Sequence, residues 1–565
     1  MCGIFSIFSH HGKFQVTDEI LNHFKSLEHR GPDSSMSYHD DAAFLGFHRL
    51  SINDLSQEGN QPMFLECDAA TGDGVHLICN GEIYNHRELV AKHGFKVKSA
   101  SDSEVILHLY KMLAHDGSSK TLCDIMHALC NALDGEFAFV LYDPKRKALA
   151  AARDPFGVRP MFIGVREDAA ICLASELKGI NGLVEHAEAF MPGHFMTVSS
   201  DVFSWHFEPY HSQPGVDAEA VGASGSDLDE QAAKRQVNAL FREAVCKRVR
   251  NSDRRVCSLL SGGLDSSLVA AIAAEQFEPY TFETFSIGFR GSPDLANSQI
   301  VADHIKSKHT IVEVTPQDFL DAIPDTVRIC ESYDTTTVRA SVGNYLVSKY
   351  IREHTENKVV LNGDYSDEVA GGYLYLRNCH DEREFAADCR RLVKEIYMFD
   401  SLRSDRTICS QGLEARTPFS DKAFVDYYQS LPASWRMSDR RMEKSLLREA
   451  FDDGGKLLPT SILWRQKEAF SDAVSTPENS WHMIVKRHID ALVTEEDFAG
   501  RATEFPYNTP QLKETLYYRR LFHQHYTHAN VIPHYWLPRF SGNMVDPSAR
   551  ELGLGNIRAR GGLTP

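Results

Sequence analysis

The stretch Val256–Ser267 limits what this chain can fold into more than any other. Val256–Leu260 reads as a buried strand. Ser261-Gly262-Gly263-Leu264-Asp265-Ser266-Ser267 then supplies two glycines, three hydroxyls and a carboxylate, and Leu268–Ala274 continues as an apolar, alanine-rich helix start. A strand, a tight glycine turn and a helix bring free backbone N–H groups and the positive helix end to one point, which is an anion site. Gly262 and Gly263 let the backbone approach an anion closely, and the hydroxyls add donors. Asp265 repels phosphate on its own, so it is read as a holder of Mg²⁺.

The loop is not a Walker A sequence, since no G-x-x-x-x-G-K-[ST] occurs. It resembles instead the SGG-x-DS pyrophosphate loop of the ATP pyrophosphatases, which cleave ATP between the α- and β-phosphates. At 565 residues the chain exceeds one ordinary core, and its 42% hydrophobic and 24% charged composition is that of a globular protein. No apolar run approaches the ~20 residues of a membrane span, and the N-terminus lacks the pattern of a secretory signal. Net charge of −18 argues against nucleic acid as a partner. The 12 cysteines form no C-x-x-C pair, which fits a reduced, cytoplasmic setting without structural zinc.

In chain order, Met1-Cys2-Gly3-Ile4 comes first. Removal of Met1 would give Cys2 a free α-amino group beside its thiol, the logic of an N-terminal nucleophile. His29-Arg30-Gly31-Pro32-Asp33 is a turn, and Arg49-Leu50-Ser51-Ile52 ends an apolar strand. Asn80-Gly81-Glu82-Ile83-Tyr84-Asn85 follows a strand at His76–Cys79. Ser101 or Asp102 is a natural N-cap for the amphipathic run Val105, Ile106, Leu109, Met112. Strand patterns at 136–142, 147–153, 161–165 and 170–174 complete an α+β layered domain, read as 1–205.

These motifs together resemble the glutaminase domain of the class II glutamine amidotransferases, an N-terminal nucleophile (Ntn) fold. The resemblance implies that Cys2 attacks the glutamine side-chain amide, giving a γ-glutamyl thioester and ammonia. It implies an oxyanion hole of Asn80 and the Gly81 N–H. Arg49 would take the glutamine α-carboxylate, with Leu50, Ser51, Ile52 and Asn53 around it. Asp102, with the Glu82 region, would take the α-ammonium. Taken singly, Arg49 could equally be a surface salt bridge and Asp102 a helix cap.

Residues 206–232 are polar and rich in breakers, and are read as a linker. A helix over 230–250, strands at Thr284–Phe289, Thr310–Val314 and Lys358–Leu361, and intervening helices predict an α/β doubly wound parallel sheet within 233–540. Ligands would sit at the carboxyl ends of its strands. Residues after 380 read as mostly helical, and 541–565 as a flexible tail.

This half resembles the asparagine synthetase family through Ser261–Ser267, Phe285-Ser286-Ile287-Gly288, Gly291–Leu295, Tyr333–Ser341, Ser366-Asp367-Glu368-Val369, Gly412–Arg416 and Trp464-Arg465-Gln466-Lys467-Glu468. The resemblance implies synthesis of L-asparagine from L-aspartate, ATP and L-glutamine through a β-aspartyl adenylate, in a homodimer. Leu259, Ile287, Asn362 and Gly363 would contact the nucleoside. Ser261, Gly262, Gly263, Asp265 and Ser266 would hold pyrophosphate, Asp265 and Asp367 would bind Mg²⁺, and Lys467 would neutralise phosphate charge. Arg339 is the candidate for a substrate carboxylate, with a structural ion pair as the other reading.

One departure stands out. The family reads Ser-Gly-Glu-Gly-Ser-Asp-Glu where this chain has Asn362-Gly363-Asp364-Tyr365-Ser366-Asp367-Glu368. Asp364 is one methylene shorter than the catalytic Glu it replaces, a displacement of roughly 1.5 Å, and misplacement of that order can cost ~10²-fold in rate. Two further readings therefore stand beside the first: an amidotransferase that adenylates another carboxylate, and a glutaminase-competent homologue poor in synthesis.

Overall fold

The structure is a computed structural model that describes residues 1–9, 14–68, 72–114, 120–199, 204–212, 229–438, 442–467, 474–475, 480–542 and 544–548. Most of the expected linker, most of the expected tail, and Glu468 fall outside these residues.

The N-terminal unit is built on two six-stranded sheets. The first contains β1 (Gly3–Phe8), β2 (Ser34–His39), β3 (Ala43–Arg49), β8 (Phe162–Val165), β9 (Ile171–Ala174) and β10 (His186–Ala189), in the order β10-β8-β9-β1-β3-β2. The second contains β4 (Met63–Asp68), β5 (Asp73–Ile83), β6 (Gly135–Asp143), β7 (Ala148–Arg153), β11 (His194–Ser199) and β12 (Ser204–Pro209), in the order β12-β11-β7-β6-β5-β4. Alternate residues of the two inner faces, among them Ile4, Leu45 and Phe47 against Ile78, Val140 and Ala151, make one core between the sheets. Helices Glu104–Ala114 and Leu122–Ala132 bury Ile106, Leu109, Ile125 and Leu129 on the outer face of the second sheet. The result is a helix–sheet–sheet sandwich, with the short helix Asp18–Lys25 on the far side burying Ile20 and Phe24.

The C-terminal unit carries a five-stranded sheet: β13 (Val256–Leu259), β14 (Glu283–Phe289), β15 (Lys308–Val314), β16 (Val359–Leu361) and β17 (Glu414–Arg416). All pairings are parallel and the order is β15-β14-β13-β16-β17. The chain therefore reverses its winding between β13 and β16, and the loops after these two strands lie side by side at the carboxyl edge. Four strands were expected. The fifth, β17, escapes the apolar pattern because Glu414 and Arg416 are charged yet buried.

The helix Glu230–Arg250 packs Val237, Phe241 and Val245 inward, and Asp229 caps it by accepting the Gln231 N–H. The two units share buried ion pairs. Arg30 reaches Asp405 at 2.8 Å, and Arg248 reaches Glu136 and Asp421 at 2.7 and 3.0 Å. No helix among the described residues is long and apolar enough to cross a membrane.

Candidate active site

The N-terminal site forms where β1 begins and β3 and β5 end. The Cys2 N–H donates to Asn80 Oδ1 at 2.9 Å, and the Leu50 N–H points at Cys2 Sγ at 3.5 Å. Asn80 is buried and its Nδ2 has no partner. A backbone N–H can be met only by the amide oxygen, so Nδ2 remains a free donor on the residue that holds the Cys2 amide. Along β5, Cys79 N–H goes to Gln61 and Ile83 N–H to Asp102. Strand alternation turns the Gly81 N–H toward the same edge, between them. A Cβ on Gly81 would meet Glu136 O at 2.4 Å, so glycine is needed there for the close approach of β6. Burial pushes the Cys2 thiol up, and the Met1 ammonium and the Leu50 backbone pull it back.

Met1 itself is buried, with its ammonium 3.3 Å from Glu414 Oε2. Arg49 is buried and every hydrogen bond it makes goes to a neutral acceptor: the carbonyls of Asn53, Asp54 and Ser56, and Asn60 Oδ1. A Cβ on Gly59 would lie 2.2 Å from Arg49 Nη2, so Gly59 makes room for this guanidinium. Leu50, Ser51 and Ile52 are buried beside it. Asp102 does not cap the helix Glu104–Ala114 as expected. Its carboxylate accepts the Ile83 N–H instead, and burial raises its pKa. Glu82 accepts from Asn53 and Asn251 at 2.6 and 2.7 Å and pairs with Arg416 at 3.1 Å, so it ties this site to the other unit.

At the second site, a cavity of about 250 Å³ opens at the carboxyl edge of the parallel sheet. Leu259, Ser261, Gly263, Asp265, Ser266, Asn362, Gly363, Asp364, Asp367, Arg339 and Lys467 all line it. The helix Leu264–Ala274 starts at Gly263 with no side-chain cap, which leaves its first N–H groups for a ligand. Ser261 and Ser266 hydroxyls meet at 3.0 Å and shape the turn. The two glycines differ in purpose. A Cβ on Gly263 would meet only Ser261 Oγ, at 3.3 Å, so its missing side chain leaves room on the cavity side. Gly262 has φ +74° and a Cβ there would strike Ser298 N at 2.4 Å, so it serves packing of the helix Pro293–Ile305. Ile287 is buried in β14 and is not among the cavity-lining residues.

Asp265 and Asp367 come from different loops and share a lysine that sequence reasoning missed. Lys444 Nζ lies 2.7 Å from Asp265 and 2.5 Å from Asp367, and Lys467 Nζ lies 2.7 Å from Asp367. Burial alone would raise the Asp367 pKa, but the two ammonium groups outweigh it and hold the carboxyl well below its usual range. Lys444 sits in no motif that pattern reading detects. Its signal is structural: a Cβ on Gly372 would fall 2.0 Å from Lys444 Cε. Arg339 lines the cavity, but its guanidinium is held by Glu514 at 2.8 and 2.6 Å and by Asp546 at 2.8 and 3.0 Å. Asp364 pairs with Arg403 through Oδ1, while Oδ2 is buried without a hydrogen bond. Burial raises the Asp364 pKa, Arg403 opposes it and Asp400 reinforces it.

An N-terminal thiol with a free amide donor and a cavity with a glycine loop, two carboxylates and two lysines thus occupy one chain. Residues 236–390 and 378–537 match the sequence family described as asparagine synthase, and residues 1–199 match the glutamine amidotransferase domain. The chain is 39% identical over 575 residues to the glutamine-hydrolyzing asparagine synthetase of Homo sapiens, covering 98% of each chain. It is 39% identical over 579 residues to that of Gallus gallus, again with 98% of each covered. The chain therefore belongs to the asparagine synthetase family.

Proposed function

We propose that the protein makes L-asparagine from L-aspartate and ATP, using ammonia released from L-glutamine, with glutamate, AMP and pyrophosphate as the other products. The observation that carries this reading is the pairing, in a chain of this family, of Cys2 beside the free Asn80 amide with the cavity at the ends of β13 and β16.

In the first half, Cys2 Sγ adds to the glutamine amide carbon, and the oxygen takes up negative charge. Asn80 Nδ2 and the Gly81 N–H stabilise it, ammonia leaves, and water releases glutamate from the thioester. Arg49 suits the α-carboxylate because its present partners are all neutral. Asp102 is the remaining carboxylate for the α-ammonium, since Glu82 is occupied by Asn53, Asn251 and Arg416. Removal of Met1, which the structure buries against Glu414, would free the Cys2 α-amino group.

In the second half, the aspartate side chain displaces pyrophosphate from ATP, and ammonia then displaces AMP. Ser261, Gly263 and Ser266, with the first turn of the helix Leu264–Ala274, suit the leaving pyrophosphate. Lys444 and Lys467 oppose its charge. Asp265 and Asp367 fit Mg²⁺, which favours one or two carboxylates together with phosphate oxygens; bound there, it would neutralise phosphate charge. Asp364 Oδ2, buried without a hydrogen bond, would accept a proton from the attacking ammonia. Arg339 reads best as the anchor of Glu514 and Asp546, and it would meet substrate only by exchanging Asp546 for it.

The domain limits 1–205 and 233–540 are our division of the chain; β12 runs on to Pro209 and the next helix begins at Glu230. A cytoplasmic setting agrees with all 12 cysteines being free, and a homodimer rests on family resemblance. The test is aspartate-dependent exchange of labelled pyrophosphate into ATP. Exchange with aspartate, absent with glutamate or with no amino acid, is expected; exchange that ignores aspartate would overturn the substrate assignment.

A further inference from the structure

Tyr365 is a buried phenol on a backbone conformation that glycine favours. Its φ is +77°, the region that glycine enters freely and other side chains rarely adopt. The backbone thus keeps a glycine conformation while carrying a phenol. The side chain is 1% exposed, and its hydroxyl meets Ser401 Oγ on the helix Asp400–Cys409.

The ring lies in the apolar cluster that spans the two halves. This cluster holds Leu50, Ile52, Phe156 and Val158 of the amidotransferase half, with Cys2 packed against it, and Leu361 and Ile396 of the synthetase half. Asp154 and Arg153 of the amidotransferase half are within electrostatic reach of the phenol. The same residue also lines the synthetase cavity. Tyr365 thus belongs both to the cavity lining and to the apolar cluster that spans the two halves.

Neutral ammonia can cross such a layer, since an apolar route disfavours its protonated form. A close-packed interior leaves few gaps of molecular size, so crossing requires a side chain to yield. The neighbour of Tyr365, Ser366, donates to Asp265 Oδ1 at 2.7 Å, so the loop that carries the ring is tied to the nucleotide loop.

We propose that Tyr365 is the barrier on the route of ammonia from Cys2 to the synthetase cavity, a positioning residue that sets how much glutamine nitrogen crosses before escaping. The inference rests on the two-site reading above. No bond is made or broken at Tyr365; the ring has only to move aside.

The test is a competition in one vessel: the full chain with Mg-ATP, aspartate, amide-¹⁵N glutamine and excess unlabelled ammonium. The readout is the labelled fraction of the asparagine formed, a ratio that does not depend on how much protein is folded. Tyr365→Gly should raise that fraction at least threefold, and Tyr365→Phe, which keeps the ring, should leave it at the native value. Tyr365→Asn, which tolerates the left-handed backbone, replaces the glycine variant should that one not fold. A labelled fraction unchanged or lowered in the small-residue variant overturns the proposal, and a rise in Tyr365→Phe equal to that in Tyr365→Gly overturns the ring as the barrier. Absence of any asparagine from the native chain would instead remove the two-site reading.

Discussion

Asn80 holds the Cys2 amide through Oδ1 at 2.9 Å and keeps Nδ2 buried and unpartnered. An unpaired buried donor is costly in a resting protein, so its place beside a nucleophile marks it as prepared for charge that appears only during reaction. Asn80→Ala should lower glutamine-dependent kcat by ~10²–10³, the usual loss for one oxyanion donor. Ammonium-dependent asparagine synthesis should persist. Equal loss of both activities would show that Asn80 serves the fold rather than the oxyanion.

Lys444 lies between Asp265 and Asp367 at 2.7 and 2.5 Å and is 1% exposed. Lys444→Met removes the charge and keeps much of the volume, which leaves two carboxylates facing each other and phosphate. Aspartate-dependent pyrophosphate exchange should fall by about 10²-fold or more, while glutamine hydrolysis continues. Retention of exchange would exclude Lys444 from the nucleotide site.

The sequence exposed the nucleotide loop because a glycine turn between an apolar strand and an apolar helix has few other uses. The helix Glu230–Arg250 was legible to its ends, since Asp229 caps it and apolar residues recur at helical spacing. Long-range pairing was not legible. Lys444 owes its place to two loops distant in sequence, and Arg339 meets partners at 514 and 546 that no local pattern announces. β17 hid for the same reason. Glu414 is buried only because the Met1 ammonium, Arg159 and Arg416 surround it, which holds its pKa at about 2 against the opposing effect of burial. The contact of Asp102 with the Ile83 N–H was hidden likewise, since Ile83 lies on a strand 19 residues earlier.

The interface between the halves predicts a stability defect. Arg30 is fully buried and bridges Glu176 of its own half and Asp405 of the other. Arg30→Ala leaves both carboxylates buried without it, at a cost of about 3–5 kcal/mol. Calorimetry should show the transition lowered and split in two, as the halves lose their shared melting. A single transition at the native temperature would contradict this.

Two buried histidines should make the fold sensitive to acid. Burial lowers the pKa of His309 from 6.5 to about 4, and does the same to His76. At these two positions the unfolded chain therefore binds more protons than the folded one between pH 6.5 and 4. Their contribution to stability is whole above 6.5 and is lost as pH falls through that window. Tm should drop by several degrees across it, and His309→Gln should flatten the slope. A slope unchanged in His309→Gln would remove this assignment.

The most direct measurement supplies native protein with Mg-ATP, aspartate and amide-¹⁵N glutamine, and follows asparagine, glutamate and AMP by mass spectrometry, alongside Cys2→Ala with and without ¹⁵N-ammonium. The account predicts ¹⁵N-asparagine and AMP from the native chain. It predicts neither from Cys2→Ala on glutamine, and both again when ammonium is added. Glutamate without asparagine or AMP from the native chain would contradict it, and would mean that the loop carrying Asp364 and Tyr365 no longer supports synthesis.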